Sequence, residues 1–328
     1  SATLMTADSC LGTLLGTAVG DALGMPVEGL SHQNIRTYYK GIKEYRDDDG
    51  RGDLSAGQWT DDTQFTFAVA RVVATASPDQ WPAEVAAEYT ALQDEARRWG
   101  PTTTAAIEQL AHGTPPLEAG NADRATDGAA MRAAPLGLWW AASDLGRDAA
   151  FELIHDLLSV THAHPAALAA GWGQAAATRY CATHPLDTFD RTDFWEHLVD
   201  TTVWAEEQLG DDSRVSDRLK QLSNQLREFP LDLRDVCNGA GIAADEAWPF
   251  AVAMVARAPQ LLENTLLSGI NVGGDADTTG AMMGALLGTL HGWDAFPDEW
   301  QNGLEGTNHL RQQSESFARS ILPAESVA

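Results

Sequence analysis

Lysine is almost missing from this chain: only Lys40, Lys43 and Lys220 occur, and Lys and Arg together total 21 against 47 Asp and Glu. The formal charge of −26 repels a polyphosphate backbone at long range, so non-specific nucleic-acid binding is not expected. Cysteine is as scarce. Cys10, Cys181 and Cys237 are odd in number and far apart, which argues against a disulfide framework and for a reducing, cytoplasmic setting. The start, Ser1-Ala2-Thr3-Leu4-Met5, has no basic region followed by an apolar core, so no signal peptide is read there. Apolar runs are interrupted too often to suggest a bilayer span, and no membrane partner is expected. Also missing are a succession of alternating strands and any Gly/Ser or Pro tract that would divide the chain.

What is present is helical periodicity almost throughout, with 44% hydrophobic residues to build a core. The pattern predicts helices over 8–24, 62–75, 82–99, 102–111, 127–142, 148–160, 165–183, 193–209, 213–229, 243–257, 259–267, 278–291 and 304–321. Asp8, Thr102, Asp127 and Ser213 suit N-caps, and Gly100, Gly113, Gly210 and Gly292 suit helix ends. The fold class is therefore all-α, in one domain over 1–328. The stretch Leu30 to Gln58 shows little helical pattern and reads as a long loop of the kind that forms a lid or binding segment.

Glycine is placed with unusual regularity. Gly12, Gly16, Gly20 and Gly24 recur every four residues, as do Gly280, Gly284, Gly288 and Gly292. An interior helical Gly costs about 1 kcal/mol relative to Ala, so two such ridges imply a compensating close packing of two central helices. That packing would carry Glu28, just past the first ridge, towards the start of the second.

Two acidic segments open into apolar runs: Trp59-Thr60-Asp61-Asp62-Thr63 before Phe65, and Gly273-Gly274-Asp275-Ala276-Asp277-Thr278-Thr279-Gly280 before Ala281. Two carboxylates about 4 Å apart repel by roughly 4 kcal/mol at an effective dielectric of about 20, so a cation is required. Asp and Thr oxygens without a Cys/His cluster suit Mg²⁺, Mn²⁺ or Ca²⁺. Asp62 alone would be an ordinary helix cap, but one cap does not explain two such motifs. Asp21, on the glycine helix, reads as a buried hydrogen-bond acceptor beside the ligands.

Gly16-Thr17-Ala18-Val19-Gly20-Asp21-Ala22-Leu23-Gly24 with Glu28, the Trp59–Thr63 segment and the Gly274–Gly280 segment together resemble the ADP-ribosylglycohydrolase family. Gly100-Pro101-Thr102-Thr103, Gly128-Ala129-Ala130-Met131-Arg132 and Thr161-His162 extend the match, which runs from about residue 9 to 292. The resemblance implies a compact orthogonal multi-helix domain with a binuclear site for two divalent metal ions, Mg²⁺ or Mn²⁺. Thr60, Asp61, Asp62, Asp275, Asp277 and Thr278 would be the ligands. Glu28, Asp62 and Asp277 would be catalytic, and 30–58 the active-site flap. Gly128, Ala129, Met131, Arg132 and His162 would contact the substrate, although Met131 by itself reads as core and Arg132 equally as a helix-end ion pair. The implied reaction is hydrolysis of the glycosidic bond between ADP-ribose and a protein side chain or small conjugate, by a monomer. The alternative is a non-catalytic ADP-ribose- or metal-binding protein that keeps the fold. The chain departs from the family pattern at Asp127, where many relatives have Asn, and at Arg97-Arg98-Trp99, where some have a further acid.

Overall fold

The computed structural model describes residues 5–324. Within them the chain forms seventeen α-helices and no strand, only isolated bridges. In order these are α1 Ala7–Gly24, α2 His32–Tyr39, α3 Asp61–Thr75, α4 Trp81–Ala91, α5 Pro101–Ala111, α6 Gly128–Met131, α7 Ala134–Ala142, α8 Arg147–Leu158 and α9 Pro165–Thr183. There follow α10 Arg191–Leu209, α11 Arg214–Leu222, α12 Pro230–Val236, α13 Ala244–Arg257, α14 Leu262–Ile270, α15 Ala276–His291, α16 Asp298–Gly303 and α17 Thr307–Ile321.

The two glycine ridges do meet. A Cβ on Gly12 would lie 2.0 Å from the Gly288 carbonyl oxygen, one on Gly16 2.3 Å from that of Gly284, and one on Gly20 1.9 Å from that of Gly280. The backbones of α1 and α15 are therefore as close as glycine permits, and every residue from Cys10 to Gly24 is buried. Thr13 and Thr289 share a hydrogen bond of 2.6 Å across the seam. Around this pair pack α3, α7, α9, α13, α14 and α17. The stretch Ala7–Val27 is, against expectation, long and apolar enough by composition to cross a bilayer, with a mean hydropathy of 1.3. Its most apolar stretch is wholly buried in the molecule, so its apolarity serves the core.

Several predicted boundaries change for local reasons. The first helix is capped by Thr6, whose hydroxyl accepts from Ser9 N, rather than by Asp8. Gly100 does not end a helix but starts one, with Pro101 in the first turn in place of the expected Thr102 cap; a proline there loses no hydrogen bond. The expected helix 82–99 stops at Ala91. The expected helix 127–142 is broken into α6 and α7 by Pro135, which cannot donate into the preceding turn. The supposed loop 30–58 contains a whole helix, α2, capped by Ser31, and α12 and α16 were not anticipated from periodicity.

Candidate metal centre and cleft

The centre is built where α1, α3 and α15 converge. Asp21, wholly buried on α1, accepts from Thr60 N at 2.9 Å, Thr60 Oγ1 at 2.8 Å, Thr63 N at 3.1 Å and Thr63 Oγ1 at 2.7 Å. It thus takes over the capping of α3, whose own N-cap Thr60 makes no side-chain cap bond, and it fixes the direction in which Asp61 and Asp62 leave the helix. Burial pushes the Asp21 carboxyl up to about 6 against these hydrogen bonds.

The second acidic segment is placed by its glycines. Gly273 and Gly274 have φ of +91° and +79°, and a Cβ on either would strike backbone, the Leu30 carbonyl at 2.4 Å or the Ala240 carbonyl at 2.3 Å. Gly29 N donates to the Gly274 carbonyl at 2.8 Å and Gly274 N to the Leu30 carbonyl at 3.1 Å. This stitch holds the Glu28 turn against the start of α15, as the glycine ridges suggested. Two groups of carboxylates result, Asp21 with Asp62 and Asp277, and Glu28 with Asp275 and Asp277, each with oxygens within 4.8 Å of one another. Thr60 Oγ1 lies 3.0 Å from Asp62 Oδ2 and 3.3 Å from Asp277 Oδ2. Asp61, Asp275 and Thr278 are buried alongside.

Burial first, then mutual repulsion, raises Asp61, Asp62, Asp275 and Asp277 well above the ordinary carboxylate range. Asp62 Oδ1 is buried without a partner. Charge without countercharge and an orphaned carboxylate oxygen are what a divalent cation with oxygen ligands would satisfy, so the donor set fits a metal site of the family's type.

The cleft beside this cluster has a cavity of about 90 Å³. Glu28, Asp61, Asp275, Asp277, Thr278, Gly128, Met131 and His162 all line it. Ala129 and Arg132 do not: Ala129 is fully buried. The Arg132 guanidinium, also fully buried, donates to the Gly128 carbonyl, Thr161 Oγ1 and Thr103 Oγ1 and lies over the Phe65 and Tyr89 rings. It closes the wall behind the Gly128 loop through hydrogen bonds and ring contacts, without the ion pair considered for it. Because α6 is only four residues long, a helix-dipole attraction for anions there has little weight.

His162 presents a defined donor. Thr161 Oγ1 accepts from Arg132 Nη1 at 3.2 Å and lies 2.7 Å from His162 Nδ1. The threonine proton has an acceptor only if Nδ1 is unprotonated, which puts the imidazole hydrogen on Nε2. Nε2 is buried and unpartnered, and burial, then the Arg132 charge, depresses the imidazole well below its ordinary range, so it is neutral. Gly128 makes room for it, since a Cβ there would lie 2.6 Å from Nε2.

Two features of the cleft were not assigned from sequence. Asp127 is buried beside the cluster, with Oδ2 unpartnered, and burial, then the neighbouring Asp62, Asp277 and Asp61 charges, raises its carboxyl well above the ordinary range. Arg98, at φ +55° and with its side chain 3% exposed, donates to Glu28 Oε2 at 3.1 Å, Asp48 Oδ2 at 2.6 Å, Asp53 Oδ2 at 3.0 Å and the Met25 carbonyl at 2.9 Å. The signal for it in the sequence is the departure from the family pattern at Arg97-Arg98-Trp99. Arg97 turns the other way, to Glu305 and the Trp59 carbonyl.

A family model described as ADP-ribosylglycohydrolase matches residues 2–327 of this chain. An uncharacterized protein of Archaeoglobus fulgidus is 32% identical over 302 residues, 91% of this chain and 92% of its own length. The ADP-ribosyl-[dinitrogen reductase] glycohydrolase of Rhodospirillum rubrum is 29% identical over 303 residues, 91% of this chain and 90% of its own. A solved structure titled ADP-ribosylglycohydrolase-related protein complex superposes with a TM-score of 0.74 at 25% identity, covering 96% of this chain and 99% of that one.

Proposed function

This chain belongs to the ADP-ribosylglycohydrolase family, and from that premise we propose that it hydrolyses the bond between the distal ribose of ADP-ribose and a protein side chain or small conjugate. The observation that carries the reading is the convergence of two buried carboxylate groups on one cleft, with Glu28 at its edge. The cofactor proposed is a pair of divalent cations, Mg²⁺ or Mn²⁺, held by Thr60, Asp61, Asp62, Asp275, Asp277 and Thr278. Bound there, they neutralise the cluster and supply Lewis acidity towards water and ribose hydroxyls.

The chain's own groups do the rest. Carboxylates around the sugar favour the positive charge that builds on the ribose as the glycosidic bond breaks. Glu28 reaches both the metal-holding cluster and the open side of the cleft, so it is the group to take a proton from the attacking water or pass one to the leaving atom. Water is consumed, with its hydroxyl ending on the sugar carbon and its proton on the leaving group. His162 Nε2–H donates to a substrate oxygen, in the space that Gly128 leaves by having no Cβ. A 90 Å³ cavity is smaller than the roughly 300–1,000 Å³ that enclose a ligand of drug size, so substrate binding requires the cleft to widen.

The test is incubation with Mg²⁺ or Mn²⁺ and a panel of ADP-ribosyl-arginine, ADP-ribosyl-serine, O-acetyl-ADP-ribose and ADP-ribose-1″-phosphate. Release of ADP-ribose from at least one is expected, lost on chelation. Asp277→Asn should bind metal about 10- to 100-fold more weakly at near-native helicity. Metal binding without release from any member would leave the non-catalytic reading in place of this one.

A further inference from the structure

We propose, resting on the hydrolase reading, that Arg98 sets the substrate class: its guanidinium fills the carboxylate cage beside Glu28 that a guanidino leaving group would need. The enzyme then acts on ADP-ribose joined through oxygen to a neutral or acidic group, and discriminates against arginine-linked ADP-ribose.

Arg98 is a wall of the same cleft as Glu28, Asp275 and Asp277, not a remote surface pair. Three carboxylates surround it, and each is already engaged by this chain. Glu28 Oε2 receives Arg98 Nη1 at 3.1 Å and Arg51 Nη1 at 3.5 Å. Asp48 gives Oδ2 to Arg98 and Oδ1 to the backbone N–H groups of Gly50 and Arg51. Asp53 gives both oxygens to the Arg98 fork. That fork geometry is the bidentate match of guanidinium and carboxylate, so the cage is shaped for one guanidinium and holds one.

The occupant is fixed. Its side chain is 3% exposed, and its backbone sits in the left-handed region at φ +55°, a conformation that costs a non-glycine residue and persists only where the surroundings enforce it. Burial opposes the charge on Arg98, but the hydrogen bonds to Asp53 and Asp48 hold its pKa above the ordinary value, so it remains cationic. Asp62 Oδ1 and Asp127 Oδ2, the carboxylate oxygens buried without a partner among the described residues, belong to the acidic cluster. A second guanidinium brought up to Glu28 meets the like charges of Arg98 and Arg51 already on its Oε2, and like-charge juxtaposition is a strong source of discrimination. A hydroxyl, carboxylate or phosphate leaving group meets no such opposition.

The experiment compares kcat/KM of the metal-loaded, full-length protein on ADP-ribosyl-arginine with ADP-ribosyl-serine and O-acetyl-ADP-ribose, in wild type and in Arg98→Met, which keeps bulk and removes charge. The wild type should favour an oxygen-linked substrate by about tenfold or more. Arg98→Met should narrow that ratio by raising arginine-linked turnover relative to oxygen-linked turnover. Equal wild-type kcat/KM on both linkages, or an unchanged ratio in a folded Arg98→Met protein, overturns the assignment and leaves the hydrolase reading standing. Release from no linkage removes that reading, and the assignment with it. If Arg98→Met does not fold, the wild-type ratio still decides.

Discussion

At the scale of single residues, the cleft depends on side chains that never face solvent. Arg132 acts on His162 through Thr161, whose hydroxyl donates its hydrogen bond to His162 Nδ1 and leaves Nε2–H as a neutral donor. Thr161→Val keeps the shape of the side chain and removes that acceptor and donor together. ¹⁵N shifts of His162 should then move from the Nε2–H pattern towards mixed or Nδ1–H tautomers. KM for an ADP-ribosyl substrate should rise about threefold to tenfold, the worth of one neutral hydrogen bond, with kcat less affected. An unchanged tautomer would refute the relay. The buried acidic cluster is legible in the sequence, because Thr60-Asp61-Asp62 and Asp275-Ala276-Asp277-Thr278 put adjacent acids where helices begin. The role of Arg98 is not, since no local pattern tells a surface arginine from one that is buried among Glu28, Asp48 and Asp53, brought from 70, 50 and 45 residues away.

At the scale of elements, the seam between α1 and α15 positions everything else. Asp21 and Asp277 stand on opposite sides of it, and the seam exists because no Cβ intervenes. Gly20→Val would press a side chain into the Gly280 carbonyl, 1.9 Å from the Cβ position, and should cost about 3 kcal/mol or more in urea unfolding. Gly146→Ala is the matched control, at an N-cap with φ −73° and nothing within 4 Å of its Cβ position; it should change stability by less than about 1 kcal/mol. A similar small effect at Gly20 would mean that the helices can separate freely. The four-residue glycine period made this pairing readable from sequence, as helical periodicity did for most helices. Periodicity failed at α2, α12 and α16, which are all of eight residues or fewer and too short to establish a pattern. It failed also at Pro135, where the apolar run continues but the hydrogen-bond ladder does not.

At the scale of the whole molecule, an excess of acid on the surface encloses a second store of acid in the interior, and the two respond differently to pH. Exposed carboxylates face solvent or pair with surface arginines. The buried ones, Asp21, Asp61, Asp62, Asp127, Asp275 and Asp277, have pKa values raised chiefly by burial, so the metal-free folded chain binds protons more tightly than the unfolded chain does. Their contribution to stability is then fully present below the ordinary carboxylate value of 3.8 and is lost as pH rises through the folded values, about 6 for Asp21. Chelated protein should therefore lose Tm between about pH 5 and 7.5, where most proteins hold theirs. The proposed metal ions would compete with those protons and bind the folded chain alone, so their stabilisation should grow over the same interval. Calorimetric Tm at pH 5.5, 6.5 and 7.5, with chelator and with saturating Mn²⁺, reads both slopes at once. Curves that diverge as pH rises are expected; parallel curves would mean that the metal does not bind at the buried carboxylates.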